Sequence, residues 1–134
     1  MKKVLILCTG NSCRSIMAEA LINAKLNNCV QAQSSGVKAS LEVNSNAKIL
    51  LKQKGIWRDK YHSKEIQKVL NEKFDLVVTV CDNAKQSCPI FEKAIKTLHV
   101  GFSDPSTKEF SEYELTYKQI ESKLLPIIKK ELCK

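Results

Sequence analysis

Apolar and polar positions along this chain fall into two kinds of run. Unbroken apolar stretches read as strands buried on both faces, and stretches with apolar residues every three or four positions read as helices packed on one side. Lys2 to Leu7 is of the first kind and predicts a strand. From Cys13 to about Leu26 the spacing is helical, with Ile16, Ala20 and Ala24 on one face and Met17 and Leu21 on its neighbour, ended by Asn27-Asn28. Val30 to Ser34 predicts a second strand, closed by a turn at Ser34-Ser35-Gly36, and Val37 to Glu42 reads as loop. Asn44 or Ser45 caps a helix whose Ala47, Leu50, Leu51 and Lys54 share a face, with Gly55 as its stop. Ser63 is expected to cap a short helix through Ile66, Val69 and Leu70.

The β-branched run Phe74 to Val80 is the clearest strand, and Thr97 to Gly101 is the fourth. A last helix begins where Ser111 and Glu114 have capping-box spacing, with Ile120, Leu124, Ile127 and Ile128 as its apolar face. Pro126 should kink that helix or mark the end of its first segment. Four strands alternating with helices predict an α/β fold: one domain over residues 1–134, with a four-stranded parallel sheet flanked by helices. Ligands of such sheets sit beyond the carboxyl ends of the strands. Cys8, Cys81 and the Asp104 loop all follow predicted strands, so the topology gathers them at one edge.

Composition narrows the function classes. With 43% hydrophobic and 27% charged residues the chain is an ordinary globular sequence, with no low-complexity tract or repeat. The net charge of +8 suits small anions. The lysines are scattered, without the arginine clusters and interleaved aromatics of nucleic-acid modules, so nucleic acid is not an expected partner. The apolar run after Met1-Lys2-Lys3 breaks at Thr9, too early for a secretion signal, and no stretch is long enough to span a membrane. A cytoplasmic protein is expected, and no spare apolar stripe calls for a partner subunit, which predicts a monomer. In that compartment the six cysteines point to chemistry rather than to a disulfide framework.

The chemistry centres on Cys8-Thr9-Gly10-Asn11-Ser12-Cys13-Arg14-Ser15, between the first strand and the first helix. A strand, a tight polar loop and a helix start aim backbone N–H groups at an anion. Those amides and the Arg14 charge are expected to favour the Cys8 thiolate, making it the nucleophile. Arg14 offers a planar fork for two anion oxygens. Ser12 and Ser15 are expected to donate hydroxyl hydrogen bonds to the thiolate, and Asn11 to hold the loop in shape. Asp104 before Pro105 is either a turn starter or a proton donor to a leaving oxygen.

Cys81 and Cys88 suggest a redox couple. If the residues between them were helical, their Cα atoms would be about 10.5 Å apart along the axis. A disulfide tolerates only about 4.4–6.8 Å, so bridging them requires that segment to unwind. No Cys-x-x-Cys occurs and His62 and His99 stand at no ligand spacing from the cysteines, which argues against zinc. Cys13 reads as packing between helix and sheet, and Cys29 and Cys133 as incidental thiols.

Together these residues resemble the low-molecular-weight protein tyrosine phosphatase fold family, with its flavodoxin-like sheet, and within it the thioredoxin-coupled arsenate reductases. The resemblance rests on the Cys8–Ser15 loop followed by Met17-Ala18-Glu19, on Ser34-Ser35-Gly36, on Asp75 to Cys81, on Cys88-Pro89-Ile90, and on Gly101 to Pro105. The loop with a distal Asp-Pro is common to the phosphatases; the Cys81 and Cys88-Pro89 pair singles out the reductases. Ser106 and Thr107 stand where a phosphatase of the family normally has tyrosine.

The resemblance implies reduction of arsenate to arsenite by a three-cysteine relay. Cys8 attacks arsenate held by Arg14 and the loop amides, with Asp104 as proton donor. A Cys8–Cys81 disulfide follows, then a Cys81–Cys88 disulfide that thioredoxin reduces, with no tightly bound cofactor. It also implies, for some members, a potassium ion at positions matching Asn11, Glu19, Ser34 and Glu65. The alternative is a phosphatase that hydrolyses phosphomonoesters through a Cys8 phosphoenzyme, an activity that a reductase would also retain weakly.

Overall fold

The computed structural model describes residues 1–40, 42–81 and 96–133. Strands β1 (Lys2–Cys8), β2 (Val30–Gly36), β3 (Leu76–Thr79) and β4 (Thr97–His99) form one sheet in the order β2-β1-β3-β4, parallel throughout. The expected α/β architecture with four parallel strands is what forms. Val4, Leu5, Ile6 and Leu7 of central β1 are fully buried, which is why its sequence is apolar without alternation. Each such side chain contributes about 1.5–3 kcal/mol by leaving water.

Helix α1 (Arg14–Lys25) lies against β1 and β2 and contributes Ile16, Met17, Leu21 and Ile22 to the core. Its buried Asn23 covers the outer edge of β2: Oδ1 accepts from the Ala32 amide at 2.8 Å and Nδ2 donates to the Ala32 carbonyl at 3.2 Å. At Ala32 the edge is thus closed to another strand. Helix α2 (Ser45–Gln53) starts as expected, with the Asn44 side chain accepting from the amides of Asn46 and Ala47. Gly55, at φ 74°, ends it in the left-handed region.

Several local expectations are corrected. Ser35 and Gly36 continue β2 instead of turning, because Gly36 pairs with Cys8 and forms a bridge to Glu65. Ser63 caps nothing; its hydroxyl donates to the Gly10 carbonyl at 3.0 Å, and only a single 3-10 turn forms at Ile66–Lys68. The final helical region opens at Phe110, with Glu109 rather than Ser111 at the cap and no side-chain bond there.

That region runs as α3 (Phe110–Gln119), a π turn (Ile120–Leu124) and α4 (Leu125–Leu132). Pro126 sits in the first turn of α4, where its missing N–H costs little, and the wider turn before it absorbs the broken ladder. Ile120, Leu124 and Ile128 point into the core. Cys29 and Cys133, expected to be incidental thiols, are joined in a disulfide with Cα atoms 5.6 Å apart. Residues 104 apart in sequence gave no local sign of this.

Candidate active site

The order β2-β1-β3-β4 places the carboxyl ends of β1 and β3 side by side. Leu7 pairs with Thr79, so the chain leaves the sheet at Cys8 on one strand and at Val80-Cys81 on the next. Both thiols are buried, and Cys81 is near enough to act on the Cys8 thiol. The Thr9 hydroxyl stands 3.1 Å from the Cys81 sulfur. Cys88 and the rest of residues 82–95 lie outside the described residues, so the Cys81–Cys88 pairing rests on sequence.

Between Cys8 and α1 the loop is held from several sides. Asn11 takes φ 50°, a left-handed conformation that asparagine tolerates better than most residues. Its Nδ2 donates to Ser15 Oγ at 2.8 Å and Ser34 Oγ at 2.9 Å, and its Oδ1 accepts from the Lys64 amide at 2.8 Å. Asn11 thus shapes the loop, as expected. Ser40 and Ser63 both donate to the Gly10 carbonyl, supports that nothing in the local sequence signals. Gly36 is required by close approach: a Cβ there would stand 2.6 Å from the Thr9 carbonyl oxygen and 3.0 Å from the Asn11 nitrogen. A glycine at the last residue of a strand was the available signal.

Helix α1 begins at Arg14 with no side-chain cap and no acidic residue in its first turn. Its free N–H groups and dipole therefore face the loop without neutralisation. Arg14 Nη1 donates to the Phe102 carbonyl at 2.9 Å, and Nη2 lies 3.6 Å from Asp104 Oδ2. Its Nε is buried without an acceptor. A cleft of about 430 Å³ opens beside it, lined by Arg14, Cys81 and Gly101 to Asp104. The three predicted strand-end features do meet.

Electrostatics correct the expected thiolate. The hydrogen bond with Cys81 raises the Cys8 pKa well above the usual thiol range, and burial adds to it. The Arg14 charge and the Thr9 amide pull the other way but are outweighed. The Thr9 amide is a donor that favours the Cys8 thiolate. Ser15 Oγ accepts from Asn11, which leaves its own hydrogen to donate. Cys13 is buried and its pKa is pushed up to about 12, by burial first and the Asp104 charge second, against Arg14. Partial burial raises Asp104, but the hydrogen bonds from Ser106 and the charges of Arg14 and Lys108 prevail and hold it below the usual carboxylate range. Without an anion bound, Asp104 is ionised.

Asn11, Ser34 and Glu19 form a buried chain: Asn11 Nδ2 donates to Ser34, whose hydroxyl donates to Glu19 Oε1 at 2.5 Å. Glu65 reaches this region through its main-chain bridge to Gly36. These side chains satisfy one another, and Asn11 turns an N–H toward the group. Among the described residues no three His, Cys, Asp or Glu side chains gather as a metal site.

The sequence profile of the low molecular weight phosphotyrosine protein phosphatases matches residues 3–134. The chain belongs to that family. An arsenate reductase of Brevibacillus brevis is 37% identical over 123 residues, 92% of this chain and 91% of that protein. The structure of an arsenate reductase from Archaeoglobus fulgidus superposes with a TM-score of 0.77 at 31% identity, covering 93% of this chain and 98% of that one. A low molecular weight protein tyrosine phosphatase from T. tengcongensis gives a TM-score of 0.81 at 28% identity over 97% and 99% of the two chains. This phosphatase-family member is an enzyme of that kind, similar both to arsenate reductases and to phosphatases. No helix among its described residues is long and apolar enough to cross a membrane.

Proposed function

We propose that the protein reduces arsenate to arsenite through Cys8, Cys81 and Cys88, with thioredoxin as the reductant, as a monomer in the cytoplasm. The observation that carries this reading is the Cys81 thiol at the Cys8 sulfur. A phosphatase needs one thiol, one arginine and one acid; a second thiol beside the nucleophile, brought there by the pairing of β1 with β3, gives its oxidation a place to go as a disulfide. The orphaned Arg14 Nε and the uncapped start of α1 support binding of a tetrahedral oxyanion above Cys8.

Arsenate binding draws the Arg14 fork away from Phe102 and Asp104. The loss of that ion pair and the arrival of a dianion both raise the Asp104 pKa, which lets it take up and then deliver a proton. The Cys8 thiol passes its proton to an oxygen of the arsenate dianion and its sulfur bonds to arsenic, while an arsenate hydroxyl leaves as water with the proton Asp104 supplies. The Cys81 thiolate then attacks the Cys8 sulfur. The S–As electron pair stays on arsenic, which becomes arsenite, and the two sulfurs, having lost two electrons, form a disulfide. Cys88 attacks Cys81 and releases Cys8; the dithiol of thioredoxin reduces Cys81–Cys88 and is itself oxidised.

The alternative is hydrolysis of phosphomonoesters through a Cys8 phosphoenzyme, which the family membership favours. The test is arsenate-dependent NADPH consumption with thioredoxin and thioredoxin reductase, beside hydrolysis of para-nitrophenyl phosphate. The expected result is steady turnover of arsenate by wild type, its loss in Cys88→Ala, and an unchanged weak phosphatase rate in both. Normal cycling by Cys88→Ala would overturn the relay, and vigorous ester hydrolysis without arsenate turnover would favour the phosphatase.

A further inference from the structure

The active site lies at the carboxyl ends of the strands, but the Cys29–Cys133 disulfide lies at their amino ends. Cys29 precedes β2, and its carbonyl accepts from the Lys2 amide at 3.1 Å. The length of β1, seven residues, separates this point from Cys8, about 20 Å of extended chain. Cys133 follows α4 and its amide donates to the Lys129 carbonyl at 2.9 Å. Both cysteines are only partly buried, and with Lys25, Leu26, Lys129 and Leu132 they line an open groove of about 450 Å³. No part of the proposed relay uses them.

We propose that Cys29 and Cys133 form a second, reversible redox site, oxidised by small-molecule disulfides, that clips the C-terminal helix to the α1–β2 turn. Its Cα separation of 5.6 Å falls within the range a disulfide spans without backbone movement. Lys25 and Lys129 place positive charge around the groove, which favours the thiolate that thiol exchange requires. In the first step one thiolate attacks the small disulfide, forms a mixed disulfide and expels one small thiolate. In the second the partner cysteine attacks the mixed disulfide and expels the other. Two protein thiols lose two electrons and two protons, and one small disulfide becomes two thiols.

The clip acts on a helix with few buried anchors. Within α4 Ile128 is the buried residue. A helix that buries so little opens locally more readily than the core. The π turn that precedes α4 packs on α1, the helix that begins at Arg14. The bond also closes a loop of 104 residues, the situation in which a cross-link most restricts the unfolded chain. The oxidised protein is therefore more stable than the reduced one while the anion loop is the same in both.

The experiment equilibrates the full chain with oxidised glutathione or with dithiothreitol and compares wild type, Cys133→Ser and Cys29→Ser. Tryptic digestion without reduction should link the peptide 26–38 to the peptide 131–134 in oxidised wild type, and dithiothreitol should abolish the link. Oxidised wild type should melt on the order of 10 °C above both oxidised variants. With dithiothreitol all three should melt within a few degrees of one another. Arsenate turnover should agree within twofold across the three. Absence of the linked peptide, or equal melting of oxidised wild type and variants, would overturn the proposal.

Discussion

The Thr9 hydroxyl lies 3.1 Å from the Cys81 sulfur, across 72 residues of sequence. Parallel pairing of β1 and β3 brings them together, and either atom can donate. When Cys81 becomes the attacking thiolate, this hydroxyl is the donor that stabilises it. Thr9→Val keeps the shape and removes the bond. Arsenite release in a single turnover should slow by about 3- to 20-fold, a hydrogen bond to a charged or part-charged group. Arsenate affinity should stay within twofold, since the loop amides and Arg14 remain. Equal single-turnover rates would show that the contact has no part in the second step.

What local sequence can carry was legible. Val4 to Leu7 read as a doubly buried strand because that is where β1 sits, and the Cys8–Ser15 loop read as an anion cradle because its parts are contiguous. Asn44 announced its cap within four residues. Readings that depended on distant neighbours failed. The Cys8 pKa is decided by Cys81, delivered by strand pairing, so the cradle alone suggested the wrong direction. Gly36 read as a turn, but its real constraint is the approach of Thr9 and Asn11. Ser63 read as a cap and instead supports Gly10 from 53 residues away. Ser111 and Glu114 had the right spacing for a capping box, yet the helix opens one residue before Ser111.

Cys81 raises the Cys8 pKa more than burial does, so removing it should release the Cys8 thiolate. In anion-free wild type, Cys8 alkylation by iodoacetamide should still be accelerating at pH 9. In Cys81→Ala the profile should move to lower pH, with at least a tenfold faster reaction at pH 7, the equivalent of about one pKa unit. Mass spectrometry of the Cys8 peptide measures it. An unshifted profile would assign the raised pKa to burial alone.

Gly36→Ala sets a methyl group 2.6 Å from the Thr9 carbonyl oxygen, a backbone atom that moves only with the loop. Overpacking of this kind costs about 1–3 kcal/mol. Urea unfolding should show that loss, and turnover should fall by more than tenfold even where the variant is fully folded, since Thr9 and Asn11 are the atoms displaced. Wild-type stability and turnover would mean that the loop yields freely.

Glu19 is buried, and burial raises its pKa against the opposing pull of Lys64, the Ser34 hydroxyl, Lys60 and His62. A carboxyl raised on folding favours the folded state fully below the unfolded value of about 4.3, and that advantage is lost as pH rises through the folded value. Glu19→Gln keeps an acceptor for Ser34 and removes the titration. Its melting temperature relative to wild type should therefore increase between pH 4 and pH 7. A difference that is constant with pH would show that Glu19 titrates normally.

Arg14→Lys separates charge from geometry. The lysine ammonium keeps a positive charge near Cys8 but loses the planar fork, the bond to the Phe102 carbonyl and the Nε donor that is buried without a partner. Losing the Phe102 bond destabilises by about 1 kcal/mol, and relieving the buried orphan offsets it, so the melting temperature should change by only a few degrees. Oxyanion binding has no such compensation, because two charged hydrogen bonds to the ligand disappear. The kcat/KM for arsenate should fall by about 100-fold or more, mainly through KM. A fall confined to kcat would place the fork's contribution in the transition state alone, and an unchanged kcat/KM would remove Arg14 from the handling of the anion.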